Sequence, residues 1–73
     1  MEKLTDGEFD VFYLIKQFYI EHGISPSIRE LCERSGKAST STIHWYLKKL
    51  KRKGYIDYQP TKSRTIRILY EEK

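Results

Sequence analysis

An α+β fold, three helices followed by a two-stranded β-hairpin, is predicted by three observations in this 73-residue sequence. Thr5-Asp6-Gly7-Glu8 and Ser27-Ile28-Arg29-Glu30 are capping boxes, in which a Ser or Thr and a Glu three residues on satisfy each other's free amides at a helix start. The stretch from Ser39 to Gly54 repeats apolar residues at helical spacing, about 100° per residue. Finally, two runs rich in Ile, Tyr and Thr flank the turn-forming Pro60-Thr61-Lys62-Ser63, the pattern of a hairpin.

The first helix is expected over about 6–22, with Gly23 as its stop. Val11, Phe12, Ile15, Phe18 and Tyr19 form its apolar side. Phe9, Tyr13 and Ile20 widen that arc beyond the stripe one core contact needs. Either they are core, or they form a surface for a partner. A linker, Ile24-Ser25-Pro26, follows, and Pro26 disfavours helix at Ser25. The second helix is expected over about 27–34, with Ile28, Leu31 and Cys32 inward, ending at Ser35-Gly36. After a turn at Lys37-Ala38-Ser39, the third helix is expected over about 40–53, and Gly54 ends it. Strands are expected at about 55–59 and 64–69, with Ile56, Ile66 and Ile68 packing on the helices. Tyr55 and Tyr58 are expected to be packing and hairpin residues. Two short helices joined by a Gly-containing turn make a helix-turn-helix, and the hairpin adds a wing.

The third helix has two unlike faces. Ile43, Tyr46, Leu47 and Leu50 fall on one side, a core seam. Ser41, His44, Trp45, Lys48, Lys49 and Arg52 fall on the other. That second surface is basic, rich in hydrogen-bonding groups and carries one large aromatic ring, the make-up of a helix that touches nucleic acid.

A chain of this length is expected to form one domain, residues 1–73. The single cysteine, Cys32, cannot form a disulfide within the chain. With no signal peptide, it points to a reducing, cytoplasmic setting, in association with the nucleoid if DNA is the partner. Cys32 is expected to be a core thiol. No apolar run approaches the roughly 18 residues of a membrane span. Net charge is +4 but strongly segregated: residues 1–36 hold 4 Lys/Arg against 7 Asp/Glu, and residues 37–68 hold 9 against 1. Such segregation fits either a nucleic-acid surface or a solvated lysine face. An enzyme is not expected, because the sequence offers no Cys/His/carboxylate cluster, Gly-rich phosphate loop or nucleophile with its base. No cofactor is expected, and His22 with Cys32 supplies no metal-ligand set.

The ordered set of pieces resembles the N-terminal DNA-binding domain of LexA-type repressors. The matching pieces are Leu4-Thr5, Val11-Phe12, Leu14-Ile15-Lys16, Gly23 to Glu30, Ser39 to His44, Leu47 to Leu50, Lys53 to Ile56, Pro60 to Arg64, and Ile66. They cover residues 4–69, and the Ser/Thr-rich start of the third helix with His44 looks closest to the Gram-positive branch. The family carries a C-terminal protease domain with a Ser–Lys dyad and a cleavable Ala–Gly bond. This chain ends at Lys73 without an Ala–Gly pair, so self-cleavage and the family's main dimerisation domain are not expected here. It reads as an excised domain or as a small stand-alone regulator from a bacterium or phage. Trp45-Tyr46 also departs from the family, whose members usually carry smaller or more polar residues there.

The resemblance implies a sequence-specific, double-stranded-DNA-binding transcriptional regulator, a repressor acting by occupancy. Helix geometry agrees that the third helix would enter the major groove. The expected base contacts are Ser39, Ser41, Thr42, His44 and Trp45. Trp45 could touch thymine methyls, pack on the sugar-phosphate backbone, meet a protein, or fold back over Lys49 or the wing. The expected phosphate contacts are Ser27, Arg29, Lys48, Lys49, Arg52, Lys62 and Arg64, because phosphates are held by cations and helix N-termini. A palindromic operator and two copies pairing on DNA, with wing-to-wing contact one arrangement, are expected, because one domain reads only a short half-site. The rival reading is a winged helix that binds protein through an aromatic surface of Trp45, Phe9 and Tyr13.

Overall fold

The computed structural model describes residues 3–36 and 39–70. Its elements, in order, are α1 (Asp6–His22), α2 (Ile28–Ser35), α3 (Thr40–Arg52), β1 (Ile56–Asp57) and β2 (Arg67–Ile68). The three helices pack on one another, and β1 lies against α3. The two strands pair antiparallel with Ile56 opposite Ile68 and Asp57 opposite Arg67. This is the expected winged helix-turn-helix. The expected turn at Lys37-Ala38 lies outside the described residues.

Both capping boxes form. The Thr5 hydroxyl accepts from the Glu8 amide at 3.3 Å and the Glu8 carboxylate accepts from the Thr5 amide at 2.8 Å. At α2 the same exchange joins Ser27 and Glu30, at 3.1 and 2.8 Å. Ser27 is therefore the N-cap rather than the first helical residue, and α2 runs one residue further than expected, to Ser35. At the far end of α3, Lys53 is the C-cap and Gly54 adopts φ +86°. The amides of Gly54 and Tyr55 turn back to the carbonyls of Lys51 and Leu50, at 3.1 and 3.0 Å. That pair of bonds is a Schellman motif, and its left-handed position is the one glycine fills without steric cost.

The core joins Val11, Phe12 and Ile15 of α1, Leu31 of α2 and Ile43, Leu47 and Leu50 of α3 to Tyr55, Ile56, Tyr58 and Ile66 of the hairpin. Tyr19, Ile28, Cys32, Tyr46 and Ile68 are partly buried against it. Burial raises the pKa of the Cys32 thiol. The expected inward faces are therefore the observed ones, and Tyr55 and Tyr58 are packing residues.

The wing differs from expectation. Its strands are two residues each rather than the expected 55–59 and 64–69. The cause lies at Gln59 and Thr65, the next hydrogen-bonded pair in this register, where the Gln59 amide takes a side-chain acceptor instead of a strand carbonyl. The Tyr58 amide donates to the Asp57 carboxylate at 2.9 Å, and the Gln59 amide to the Thr65 hydroxyl at 2.9 Å. The Ile66 amide donates to the Ser25 hydroxyl at 3.0 Å. At the other end of the paired residues the Leu69 amide makes the in-register bond to the carbonyl of Tyr55, which Tyr70 shares. The wing is instead tied to the helices. The Tyr19 hydroxyl donates to the carbonyl of Ile66. Arg64, at φ +56°, donates to the carbonyl of Ser25 at 3.1 Å and pairs with Glu30 at 2.8 Å.

Candidate nucleic-acid interface

The amphipathic sequence of α3 buries Ile43, Leu47 and Leu50 and turns the opposite side outward. Ser39 is its N-cap, its hydroxyl accepting from the amide of Ser41 at 3.1 Å. Ser41 is exposed, while Thr42 and His44 are half-buried. Trp45 stands 53 % exposed. One turn on, Trp45, Lys48, Lys49 and Arg52 line a single open depression. The structure thus brings Ser41, His44, Trp45, Lys48, Lys49 and Arg52 onto one helix, with the capping Ser39 at its start.

The Trp45 ring is held on two sides. The Lys49 ammonium lies 4.6 Å from its centroid, a cation–π contact. The Tyr46 ring meets it edge-on at 4.9 Å and 69°. Tyr46 in turn packs against the first turn of α1. A Cβ on Gly7 would stand 2.4 Å from the Tyr46 hydroxyl oxygen and 2.8 Å from its ring. Helical period by itself assigns Tyr46 to the core seam. Its contact with Gly7 lies 39 positions away in the chain and leaves no signature in local periodicity.

The remaining cations divide by use. Lys62 is exposed in the wing turn, and Arg29 is exposed on α2. Lys51 is engaged inside the chain, 3.2 Å from the carbonyl of Tyr58 and 3.4 Å from Asp57. Lys53 is engaged with Glu8 at 2.6 Å. The Arg64 guanidinium is shared between Glu30 and the Ser25 carbonyl. At the start of α2, the Ser27 hydroxyl is bonded to the Glu30 amide. The Glu30 carboxylate occupies the same turn, its pKa lowered to about 2 by the Ser27 amide and by Arg64. The anion-binding end of α2 therefore already carries a carboxylate, and a phosphate there would have to share Ser27 and Arg64 with it. Among the described residues no group of His, Cys, Asp and Glu could hold a metal ion, and no helix is long and apolar enough to cross a membrane.

Phe9 and Tyr13 stack at 6.5 Å, and with Phe12, Lys16, Gln17 and Ile20 they line a groove on α1. Ile20 is 74 % exposed. Phe9, Tyr13 and Ile20 are surface, and their groove is separate from the one that Trp45 lines.

A tri-helical fold with a hairpin wing and an outward basic helix is common to many regulators, so sequence comparison decides among them. The sequence matches the model of the LexA DNA binding domain over residues 1–65. The chain belongs to the LexA DNA-binding domain family. It is 48 % identical to the LexA repressor of Bacillus cytotoxicus and 47 % identical to that of Bacillus thuringiensis (strain Al Hakam), over all 73 residues and 35 % of each relative. Against the LexA repressor of Clostridium novyi it is 46 % identical over 66 residues, 90 % of this chain and 32 % of that protein. The chain thus spans about a third of the length of the curated LexA relatives it matches. In this LexA-type domain, the helix that presents Trp45 is the second of the helix-turn-helix pair.

Proposed function

We propose that the chain binds double-stranded DNA sequence-specifically and represses transcription by occupying its site. In this reading α3 enters the major groove, where Ser39, Ser41, Thr42, His44 and Trp45 meet base edges. Arg29, Lys48, Lys49, Arg52 and Lys62 hold phosphates. Ser27 and Arg64 contribute phosphate contacts only by sharing their partners with Glu30. The observation that carries the reading is the outward surface of α3, where three cations share a depression with Trp45 on one side of a helix whose other side is core. The name repressor, printed for the relatives, supports repression rather than another outcome of DNA binding. Two copies on a palindromic site complete the reading, because one recognition helix spans only a half-site.

The test is selection of bound sites from a random duplex library at two salt concentrations. Enrichment of a palindrome, with His44→Ala changing which bases are preferred, supports the reading. Salt-sensitive binding without an enriched site overturns it. That result would favour the second reading, supported by the exposed Phe9–Tyr13–Ile20 groove, in which α1 binds a protein.

A further inference from the structure

We infer that Trp45 determines specificity by reading the C5 methyl group of thymine, an inference that rests on the DNA-binding reading above. The ring is 53 % exposed yet fixed, with Lys49 over its face and Tyr46 against it. Tyr46 is backed by the first turn of α1, where Gly7 has no room for even a Cβ. The indole is thus kept from folding into the protein on the Tyr46 side. It stands on the outward face, held by these two contacts.

What such a ring can meet follows from its neighbours. Lys48, Lys49 and Arg52, further along the same face of α3, line one depression with it, and cations of this kind engage phosphates. With α3 in the major groove, as proposed above, the exposed part of the ring on this outward face meets base edges. In duplex DNA the faces of the bases are stacked away, and only their edges are offered. Along the major groove those edges are hydrogen-bond donors and acceptors, with one apolar exception, the thymine methyl. An indole has one N–H and is otherwise carbon. The carbon surface left open at Trp45 has the thymine methyl as its only apolar base-edge partner. The sugar is the other apolar group of DNA, but contact with it discriminates among no sequences.

The experiment replaces each thymine of the selected site with uracil, one at a time, which removes the methyl and preserves pairing. The wild-type chain is expected to lose about fourfold in affinity at one or two positions, the value of one buried methyl. Trp45→Ala is expected to bind the thymine and uracil duplexes equally at those positions. Trp45→Phe, which keeps an apolar ring without the N–H, is expected to retain the discrimination. Circular dichroism verifies that each variant is folded.

Wild-type indifference to uracil at every position, with a site still selected, overturns this inference and leaves the DNA-binding reading standing. Uracil sensitivity persisting in Trp45→Ala overturns it too, because another residue would then read the methyl. So does a loss in Trp45→Ala that is equal for all sequences, which would mean that the ring packs on sugars. Failure to select any site removes the DNA-binding reading and this inference together.

Discussion

The Lys53 ammonium lies 2.6 Å from the Glu8 carboxylate, with side chains 10 % and 1 % exposed. This pair joins the start of α1 to the end of α3, because Glu8 closes the capping box of α1 and Lys53 caps the end of α3. Lys53 also donates to the carbonyl of Lys3 at 3.1 Å. Burial acts to raise the Glu8 pKa, but the Lys53 and Thr5 hydrogen bonds and the Lys53 charge outweigh it, and the net shift is downward.

Removing one partner should therefore cost more than removing both. Lys53→Met would leave Glu8 charged and buried, and is expected to destabilise the fold by about 3 kcal/mol at pH 7. Glu8→Gln with Lys53→Met should recover part of that loss. Urea denaturation of the single and double variants measures the difference. Because the folded pKa of Glu8 lies below its ordinary value of 4.5, its stabilising contribution is full above that value and is lost as the pH falls through the folded pKa. Stability measured downward from pH 5 should decline in the wild type, with a smaller slope in the double variant.

Gly7→Ala is expected to run against the usual rule. At an unhindered helical position, alanine gains about 0.5–1 kcal/mol over glycine. Here the new Cβ would stand 2.4 Å from the Tyr46 hydroxyl oxygen, so the Tyr46 ring must move. We expect a net loss of about 1 kcal/mol or more, within the range for overpacking, and a lower Tm. Combining it with Tyr46→Ala should cancel the penalty, and a double-mutant cycle reads that coupling. Simple additivity would refute the contact.

Glu30 should titrate at about 2, and NMR of its side-chain carboxyl can follow it. The Ser27 amide is the larger cause and Arg64 the next. Arg64→Met should therefore raise the value without restoring that of an unperturbed carboxylate. The sign follows from the downward shift: the ion pair between α2 and the wing is fully formed above the ordinary carboxylate range. It weakens only as the pH falls toward about 2. Wing signals of the wild type should thus be unchanged between pH 7 and pH 5.

DNA binding should fall steeply with salt. With about five phosphates contacted, log affinity against log salt should have a slope of roughly −4 to −5. Arg52→Gln should make that slope shallower by about 1. Lys51→Gln should leave it nearly unchanged, because the Lys51 ammonium already serves Asp57 and the carbonyl of Tyr58. Equal effects of the two substitutions would show that intrachain pairing does not decide which cations reach phosphate.

Elements under local chemical control are legible along the chain. Capping boxes at Thr5 and Ser27 announce helix starts because their partners lie three residues away. The core face of α3 is legible from Ile43, Leu47 and Leu50 because burial follows helical period. The outward face around Trp45 is legible as the complement of that seam. Tertiary structure alone decided how long the wing strands are, because the Thr65 hydroxyl takes the Gln59 amide that a ladder would otherwise use, while Ser25 ties the outward amide of Ile66 to the helices. It alone decided which cations are spoken for, since Lys51, Lys53 and Arg64 look no different in the sequence from Lys48 or Arg52. The physical reason is the same throughout: ion pairs such as Glu8–Lys53 and contacts such as Gly7–Tyr46 join residues far apart in the chain. Periodicity reports only what a residue meets within its own turn of helix or along its own strand.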